Sequence, residues 1–439
     1  METNLILDQP AYKTATFGFM WNMLRNPLNA LTELAQEQGD IARVKLRKRD
    51  LFLLNHPEFI EQVLVKQQAN FIKGPSLQRA RILLGEGLLT SEGEEHLAQR
   101  RTLQPAFHRQ RMEEYLPVMN ENTIAQISRW QNGAHVDMSA EMMRLTLNIA
   151  LWSFFGSAPK GTVERVSESM GTLMKLFPLT QLPVPDAMRM VFPKFKRASK
   201  NLNQITESLL KNPQSKDAKR ALIHILKENN NGQFTDEQIH AHALTFLLAG
   251  HETTALLLAW CWDMLAHHPQ VQANLQNEVD EVLGDAYPNS ENVHELHYTR
   301  LVVKETLRMR PPAWTIGRQA VQDCEIGGQH IPAGSTVLVS QWVTHHDSRF
   351  YDDPHQFRPA RWYELENIPF PRYAYFPFGG GSRVCIGEHF AMTEAIAVLA
   401  MVARRWNISP LEKSYAIPRP SITLRPDKSV KLCVNRRNV

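Results

Sequence analysis

The stretch FPFGGGSRVCIGEHF, residues 376 to 390, decides the fold. It places Cys385 between three glycines and EHFAMTEAIAVLAMVARRW, a segment with the apolar face of a helix. Glycines permit backbone turns that other residues cannot adopt, and they let a flat ligand approach closely. The N-terminus of the following helix would present N–H groups and partial positive charge to the sulfur. Both features favour the thiolate form that binds metals.

Arg383 lies two residues before Cys385 and is suited to bond a carboxylate on a ligand. The alternative for this stretch is a buried structural cysteine in a tight turn. For a lone cysteine that alternative would normally be favoured. The combination of glycines, arginine and helix start favours a ligand site instead.

The composition is that of a soluble globular enzyme, with 43% hydrophobic and 21% charged residues among 439. A net charge of +4 gives little support to nucleic-acid binding. No uninterrupted apolar run reaches the length that spans a bilayer, and the first ten residues lack the pattern of a signal peptide. We therefore expect a cytoplasmic protein without a transmembrane segment.

The four cysteines are far apart and form no CxxC pair. This spacing argues against a zinc ribbon, an all-cysteine iron–sulfur site and a disulfide scaffold. Packing is the better interpretation for Cys261, Cys324 and Cys433.

Strands and helices alternate unevenly along the chain. IARVKL (41–46) and LFLLN (51–55) predict a hairpin, and Thr235 begins a capping box for a helix running to about His268. CEIGGQHIPAGSTVLVSQ (324–341) predicts short strands. The expected fold is mainly α with a minor β-sheet region, and the interleaved pattern predicts a single domain over residues 1–439.

Five positions of the opening stretch form a longer signature. Phe378, Gly381, Arg383, Cys385 and Gly387 match FxxGxRxCxG, so the chain resembles the cytochrome P450 family of haem-thiolate monooxygenases, in its soluble bacterial type. The resemblance implies that haem b (iron protoporphyrin IX) is the cofactor and that the Cys385 thiolate is the axial iron ligand. It also implies cofactor contacts from Phe378, Arg383 and Gly387.

The long helix contains LLAGHETTALLLAW, residues 247 to 260. A threonine hydroxyl there can bond the carbonyl four residues back and bend the helix, opening a groove for a small ligand such as dioxygen. Gly250 and Glu252 are costly in a buried helix, which favours a functional reason over a tolerated polar patch. The segment resembles the family's AGxET motif. That likeness makes Glu252 and Thr253 an acid–alcohol pair that supplies protons, places Ala249 at the haem and leaves His251 without a chemical role.

KETLRMRPPAWTIGR, residues 304 to 318, carries Glu305 and Arg308 three positions apart, where they can pair on one helix face. Such a pair is weak by itself because most are solvated surface contacts. With Arg361 of FRPARW (357–362) it resembles the family's Glu-Arg-Arg network, which implies a structural role. The same likeness makes Arg318 a candidate contact for a haem propionate.

HLAQRRTLQPAFH, residues 96 to 108, is similar to the family's WxxxR helix, with His96 in place of tryptophan. His96 and Arg100 share a helix face, and both are candidate propionate contacts. A second polar run, His345-His346-Asp347, is better interpreted as a surface turn than as a metal site.

The motifs follow the family's order, and the resemblance covers nearly the whole chain. It implies a triangular fold with haem between the long central helix and the cysteine loop. The implied reaction inserts one atom of O2 into a C–H bond and releases the other as water. Its two electrons are expected from a separate ferredoxin or flavodoxin with an NAD(P)H reductase.

Three segments correspond to the family's substrate pocket: residues 76–91, 174–195 and 312–317. All are rich in apolar residues, which favours an apolar substrate that is lipid-like, terpenoid or carotenoid-like. For any single residue, core packing remains the better interpretation. A weak contact with a membrane surface is also predicted, from Met188, Met190, Val191, Phe192, Lys194 and Lys196.

Two alternatives stay open. A haem-thiolate peroxygenase, isomerase or dehydratase would share Cys385, although such branches usually lose the acid–alcohol pair. A non-enzymatic haem sensor would bind haem and form no product.

Overall fold

The structure, a computed structural model, describes residues 16–46, 49–180, 193–211, 221–228 and 232–437. The chain forms two compact units, each assembled from separated segments. Unit 1 contains Met1–Gln78, Ala313–Gln356 and Ile368–Cys385, and unit 2 contains Arg79–Pro312, Phe357–Asn367 and Ile386–Val439. The single domain expected from the sequence stays a prediction.

Strands are short and lie mostly near the two ends of the chain. In chain order they are β1 Ile41–Leu46, β2 Arg49–Leu54, β3 Phe71–Lys73, β4 Ala134–Asp137, β5 Ile316–Ala320, β6 Cys324–Ile326, β7 Gln329–Ile331, β8 Thr336–Val339, β9 Trp406–Pro410, β10 Pro418–Pro420, β11 Leu424–Pro426 and β12 Lys431–Arg436.

Helices make up most of the rest, which confirms the mainly α fold with a minor sheet component. The α-helices are Thr16–Arg25, Pro27–Gln38, Pro57–Glu61, Pro75–Arg79, Arg81–Leu84, Gly93–Leu103, Arg109–Glu114, Leu116–Ile127, Met138–Ala150, Thr162–Thr180, Pro193–Lys211, Leu222–Glu228, Asp236–His267, Pro269–Leu283, His297–Met309, Gln341–His345, Arg361–Leu365 and Glu388–Arg405. Two π-helical turns, Gln62–Lys66 and Leu151–Phe155, continue the helices before them.

Unit 1 is built around a five-stranded sheet in the order β1-β2-β8-β5-β3. β1 and β2 form the hairpin predicted from the sequence, and β2 also pairs in parallel with β8. Phe52, Leu53 and Leu54 of β2 are fully buried, as expected for a strand with both faces covered. The core of the unit extends to Tyr373 and Phe376, at the start of the segment that leads to Cys385.

Unit 2 is organised around one helix, Asp236–His267, which we call the central helix. Thr235 and Gln238 form the predicted capping box at its start. The helix packs most extensively against Met138–Ala150 and also contacts Pro193–Lys211, His297–Met309 and Glu388–Arg405. This packing explains why its residues are apolar on nearly every side.

The central helix is also the one described helix that is long and apolar enough to cross a bilayer. However, 83% of its most apolar 18-residue stretch is buried inside the protein. Burial of this kind is the ordinary property of a core helix.

Two small sheets complete unit 2. β12 lies between β4 and β9, and β10 pairs with β11 in a hairpin of residues 418–426, which we call the C-terminal hairpin. Neither β3 nor β4 was expected from the sequence. Both are three- or four-residue strands whose partners lie more than 240 residues away, so no local pattern marks them.

Candidate functional site

The cysteine loop of unit 1, residues 376–385, is held by backbone hydrogen bonds. The N–H of Cys385 donates to the carbonyl oxygen of Phe378 at 2.9 Å, and the N–H of Gly379 donates to that of Phe376 at 2.9 Å. The N–H of Phe376 donates to Nε2 of His345 at 3.0 Å. The side chain of Cys385 is exposed.

Backbone conformation or lack of space requires glycine at three successive positions of this loop. Gly379 and Gly381 have φ of 75° and 67°, in the left-handed region. A Cβ on Gly381 would lie 1.8 Å from the carbonyl oxygen of Leu64, and one on Gly380 would lie 2.5 Å from the ring of Tyr373. The lack of side chains at these glycines therefore lets the Leu64 carbonyl and the Tyr373 ring pack directly against the loop backbone. The close approach of a flat ligand to the glycines stays a prediction.

Gly387 is the N-cap of the helix Glu388–Arg405, so the helix starts three residues after Cys385. Its first turn carries Glu388 and its last turn carries Arg404 and Arg405, as the sequence predicted for the basic end.

Glu394 lies on the same helix, one turn and a half after Glu388. Its side chain is fully buried, and neither carboxylate oxygen has a hydrogen-bond partner among the described residues. Burial raises the pKa of Glu394 well above its ordinary value.

The central helix is open at one place only within residues 241–266. Ala249 is exposed and Gly250 and Thr253 are half-buried, whereas the remaining residues of this stretch are buried. The hydroxyl of Thr253 donates to the carbonyl oxygen of Ala249 at 2.9 Å, which confirms the expected bond to the residue four positions back. We call Ala249, Gly250 and Thr253 the helix groove.

Gly250 also has a packing reason that the sequence did not reveal. A Cβ there would lie 2.5 Å from Cε2 of Phe154, so the ring of Phe154 occupies the space that glycine leaves. Phe154 in turn packs against Phe246 and Phe390. Packing of the Phe154 ring therefore accounts for the glycine at position 250, and no ligand is needed to explain it.

Glu252 does not point toward the helix groove. Its Oε1 accepts hydrogen bonds from the hydroxyl of Thr423 at 2.6 Å and from Nη2 of Arg425 at 2.7 Å, both on the C-terminal hairpin. Its burial is therefore compensated by an ion pair. The neighbouring His251 is fully buried, and burial lowers its pKa. Sequence reasoning missed Thr423 and Arg425, because SITLRP (421–426) carries no motif and lies some 170 residues from Glu252.

His96 and Arg100 lie on the helix Gly93–Leu103, one turn apart on the same face as predicted. His96 is buried and Arg100 is half-buried. The first turn of this helix carries Glu94 and Glu95.

Arg318 lies on β5 and is 8% exposed. Its cross-strand partner on β3 is Lys73, which is 4% exposed. Two like charges placed opposite each other in a sheet are unfavourable, so this pair suits an anionic group such as a carboxylate. Lys73 was not singled out from the sequence, because its pairing with Arg318 depends on strand register.

The Glu-Arg-Arg network is confirmed within unit 2. Oε1 of Glu305 accepts from Nη2 of Arg308 and from Nε of Arg361, both at 2.9 Å, and the N–H of Arg358 also donates to it. The Glu305 and Arg308 side chains are fully buried. The network joins two segments that are about fifty residues apart.

The prediction of a surface turn at His345-His346-Asp347 is wrong for His345. His345 ends the helix Gln341–His345, is fully buried and accepts the hydrogen bond from the Phe376 N–H. This histidine supports the cysteine loop. In the described part of the chain, no group of three His, Cys, Asp or Glu side chains is placed to hold a metal ion.

The predicted site residues are divided between the two units. Unit 1 holds Arg318, Phe378, Arg383 and Cys385, and unit 2 holds His96, Arg100, Ala249, Glu252, Thr253 and Gly387. Haem fits the chemistry of both sets: an exposed cysteine in a hydrogen-bonded loop, buried or half-buried cations suited to carboxylates, and an opening in an apolar helix. The arrangement of one set against the other stays a prediction.

The weak membrane contact was predicted for residues 188–196. Met188, Met190, Val191 and Phe192 lie outside the described residues. Lys194 and Lys196 lie in the helix Pro193–Lys211.

A family model described as Cytochrome P450 matches residues 12–434. Cyclooctatin synthase of Streptomyces melanosporofaciens is 36% identical over 92% of this chain and 90% of its own length. From the same organism, cyclooctat-9-en-7-ol 5-monooxygenase is 32% identical over 90% of this chain and 88% of its own. Pentalenene oxygenase of Streptomyces avermitilis is 31% identical, over 89% of each chain.

Proposed function

The chain belongs to the cytochrome P450 family of haem-thiolate monooxygenases, and on that basis we propose that it hydroxylates a terpenoid with Cys385 as the axial ligand of haem b. When bound, the haem supplies the activation of O2, one atom of which enters a C–H bond while the other leaves as water. The observation that carries the proposal is the exposed cysteine on the glycine-constrained loop.

We propose that the cations found in the two units serve the haem propionates. Arg318, Arg383 and Lys73 would act from unit 1, and His96 and Arg100 from unit 2. Arginine and lysine form charge-assisted bonds to carboxylates, and these bonds are stronger where water is excluded. Phe378, Ala249 and Gly387 would contact the cofactor without charge.

Proton supply is assigned to Glu252 and Thr253. The Thr253 hydroxyl is held at the helix groove by its bond to Ala249, and its oxygen keeps the capacity to accept a further hydrogen bond. Glu252 is the acid of the pair, but its carboxylate is engaged by the C-terminal hairpin. Its action therefore requires a change of hydrogen-bond partner.

The substrate class is supported by apolar residues left at the surface. In unit 2, Ile82 and Leu89 are each 37% exposed, within the segment that the sequence assigned to the substrate pocket. Exposed apolar side chains of this kind suit an apolar ligand. Two of the relatives carry the names of terpenoid oxygenases, which favours a terpenoid over a fatty acid or a carotenoid.

Membership of the cytochrome P450 family implies that the two electrons come from a redox partner. We propose a ferredoxin or a flavodoxin served by an NAD(P)H reductase, acting in the cytoplasm. With either donor, product formation should require the reductase.

Replacement of the proposed ligand tests the assignment. In the ferrous carbonyl form, the protein should show the strongly red-shifted absorption of sulfur-ligated iron, and Cys385→Ser should lose it. Cys433→Ser is the matched control, because Cys433 lies on β12 of unit 2. The assignment fails if Cys385→Ser keeps the absorption or if the wild-type protein binds no haem.

A spectral titration tests the substrate class. Pentalenene, cyclooctat-9-en-7-ol, palmitic acid and β-carotene should be compared by the change in iron spin state on binding. We expect the two terpenoids to bind more tightly than the acid and the carotenoid. Preference for palmitic acid would replace the terpenoid proposal with a fatty-acid substrate. Turnover with peroxide and none with a reductase would instead identify a peroxygenase.

A further inference from the structure

The C-terminal hairpin holds the catalytic acid of the central helix through two bonds. Glu252 is 4% exposed and accepts from Thr423 and Arg425, whereas the side chain of Arg425 is 33% exposed. The ion pair thus connects a buried carboxylate to the surface. Nε of Arg425 lies 3.4 Å from the Thr423 hydroxyl, so the two donors are themselves linked.

The hairpin and the residues just before it are bonded to the same helix at two further points. Nε1 of Trp260 donates to the carbonyl oxygen of Leu424 at 3.1 Å, and the N–H of Ala416 donates to Oδ2 of Asp263 at 3.1 Å. Positions 252 and 263 are eleven residues apart, about three helical turns, and so lie on one side of the helix. The segment from 416 to 425 therefore follows that side of the helix.

The hairpin turn and the residue before β10 carry exposed apolar side chains. Ile422 at the turn is 39% exposed, and Ile417 just before β10 is 65% exposed. Both are apolar side chains on the surface of unit 2.

Thr253 follows Glu252 by one position and is rotated about 100° around the helix axis. Its hydroxyl lies at the helix groove, while the Glu252 carboxylate faces the hairpin. The acid and the alcohol are therefore adjacent in sequence and engaged by different partners.

We propose that Thr423 and Arg425 are positioning residues for Glu252: they hold the acid against the C-terminal hairpin, and the acid must leave them to reach the helix groove. This inference rests on the proposed role of Glu252 in proton supply. It makes the hairpin, rather than the helix alone, responsible for when the acid acts.

Hydrogen exchange tests the link without any turnover. In the ferric, haem-loaded protein, amides of residues 416–426 should exchange roughly tenfold faster in Arg425→Leu and in Glu252→Gln, as expected for loss of one charge-assisted hydrogen bond. Arg419→Leu is the matched control, because Arg419 is the exposed cross-strand partner of Arg425. The double variant should exchange no faster than either single variant. Additive increases, or equal rates in all variants, would overturn the proposal.

Coupling between reductant use and product tests the consequence for catalysis. With a ferredoxin, its reductase and the tighter binder of pentalenene and cyclooctat-9-en-7-ol, Arg425→Leu should lower the product per reductant by roughly tenfold, less than the hundredfold or more that a positioned acid itself contributes. In the Glu252→Gln background the same change should have no further effect. Arg425→Lys, which keeps the charge, should restore part of the coupling. A full extra loss in the Glu252→Gln background would show that Arg425 acts elsewhere.

The two proposals fail in distinguishable ways. If the wild-type protein forms no product but the exchange results hold, the function is wrong and the hairpin link stands. If product forms normally in Arg425→Leu, the function stands and the positioning role is refuted.

Discussion

At the scale of the residue, the first case is Thr253, the side chain that we propose takes part in proton supply. It is the one hydroxyl in the opening of the central helix, and it is tied to the Ala249 carbonyl. The sequence allowed this bond to be predicted, since a helical threonine has few other local partners. The partner of its neighbour Glu252 was not predictable, because the contact depends on where the distant C-terminal hairpin folds.

Removal of the Thr253 hydroxyl should uncouple the enzyme. Thr253→Val should consume reductant at about the rate of the wild type but form at least roughly tenfold less product, because proton transfer by a positioned group contributes at least that much to the rate. Thr253→Ser keeps a hydroxyl and should stay close to the wild type. The measurement is the ratio of product to NAD(P)H oxidised. Full coupling in Thr253→Val would contradict the assigned role.

At the scale of the element, a few residues fasten segments that are distant in the sequence. Glu305 joins the helix His297–Met309 to the helix Arg361–Leu365 through Arg308 and Arg361. This network was predictable from the sequence because Glu305, Arg308 and Arg361 match a family motif. Its burial was not visible from the spacing alone, since an isolated ExxR pair is usually a surface contact.

Loss of the central carboxylate should destabilise unit 2. Glu305→Gln removes the carboxylate charge that pairs with the buried Arg308 and Arg361, which should cost about 3–5 kcal/mol of unfolding free energy. Glu364→Gln, which breaks the largely exposed pair with Arg358, is the control and should cost less than about 1 kcal/mol. Chemical denaturation with haem content measured in parallel gives both values. Equal stability of the two variants would show that the network does not brace the fold.

The cysteine loop depends on glycine for two separable reasons, backbone conformation and space. Gly381→Ala meets both penalties, because φ is positive and the new Cβ would collide with the Leu64 carbonyl. Gly328→Ala meets only the first, since φ is +80° and nothing lies within 4 Å.

We therefore expect Gly328→Ala to lower the free energy of unfolding by only about 1–2 kcal/mol. Gly381→Ala should in addition lose the thiolate-type absorption of the ferrous carbonyl form. Retention of that absorption in Gly381→Ala would mean that the loop can shift away from Leu64. The helix start after Cys385 and the glycine cluster were predictable, but this steric requirement depended on the fold of residues 62–66.

At the scale of the whole molecule, the mainly helical fold followed from helical periodicity and from a set of motifs in the expected order. The strand pairings that build unit 1 did not, because β2 and β8 are separated by some 280 residues. A short strand read alone shows neither its partner nor its register. The pairing of β3 with β5 places Lys73 opposite Arg318. The role of His345 likewise depends on the fold, because it binds the N–H of Phe376, a residue 31 positions away.

Stability of the whole protein should depend on pH through Glu394. Burial raises the pKa of Glu394 in the folded protein. The contribution of Glu394 to the free energy of unfolding is therefore fully present below the ordinary pKa of a glutamate, and it declines as the pH rises toward the folded pKa. Glu394→Gln removes this decline. The difference in unfolding free energy between Glu394→Gln and wild type should therefore grow in favour of the variant by up to about 1.4 kcal/mol per pH unit above the ordinary pKa.

Thermal unfolding of both proteins at several pH values between 5 and 8 checks this expectation. Glu121→Gln is the control, because Glu121 is exposed on the helix Leu116–Ile127. A constant difference across the pH range would show that a group on another element neutralises the Glu394 carboxylate.

The parallel pairing of β2 with β8 has a consequence for synthesis on the ribosome. β2 emerges early, and its neighbour Thr336–Val339 is translated some 280 residues later. At about 5–20 residues per second, this leaves one edge of the nascent hairpin uncovered for roughly 15–60 s. An apolar strand edge is a template for pairing with other chains, so chaperone supply and translation rate should determine the yield of soluble protein.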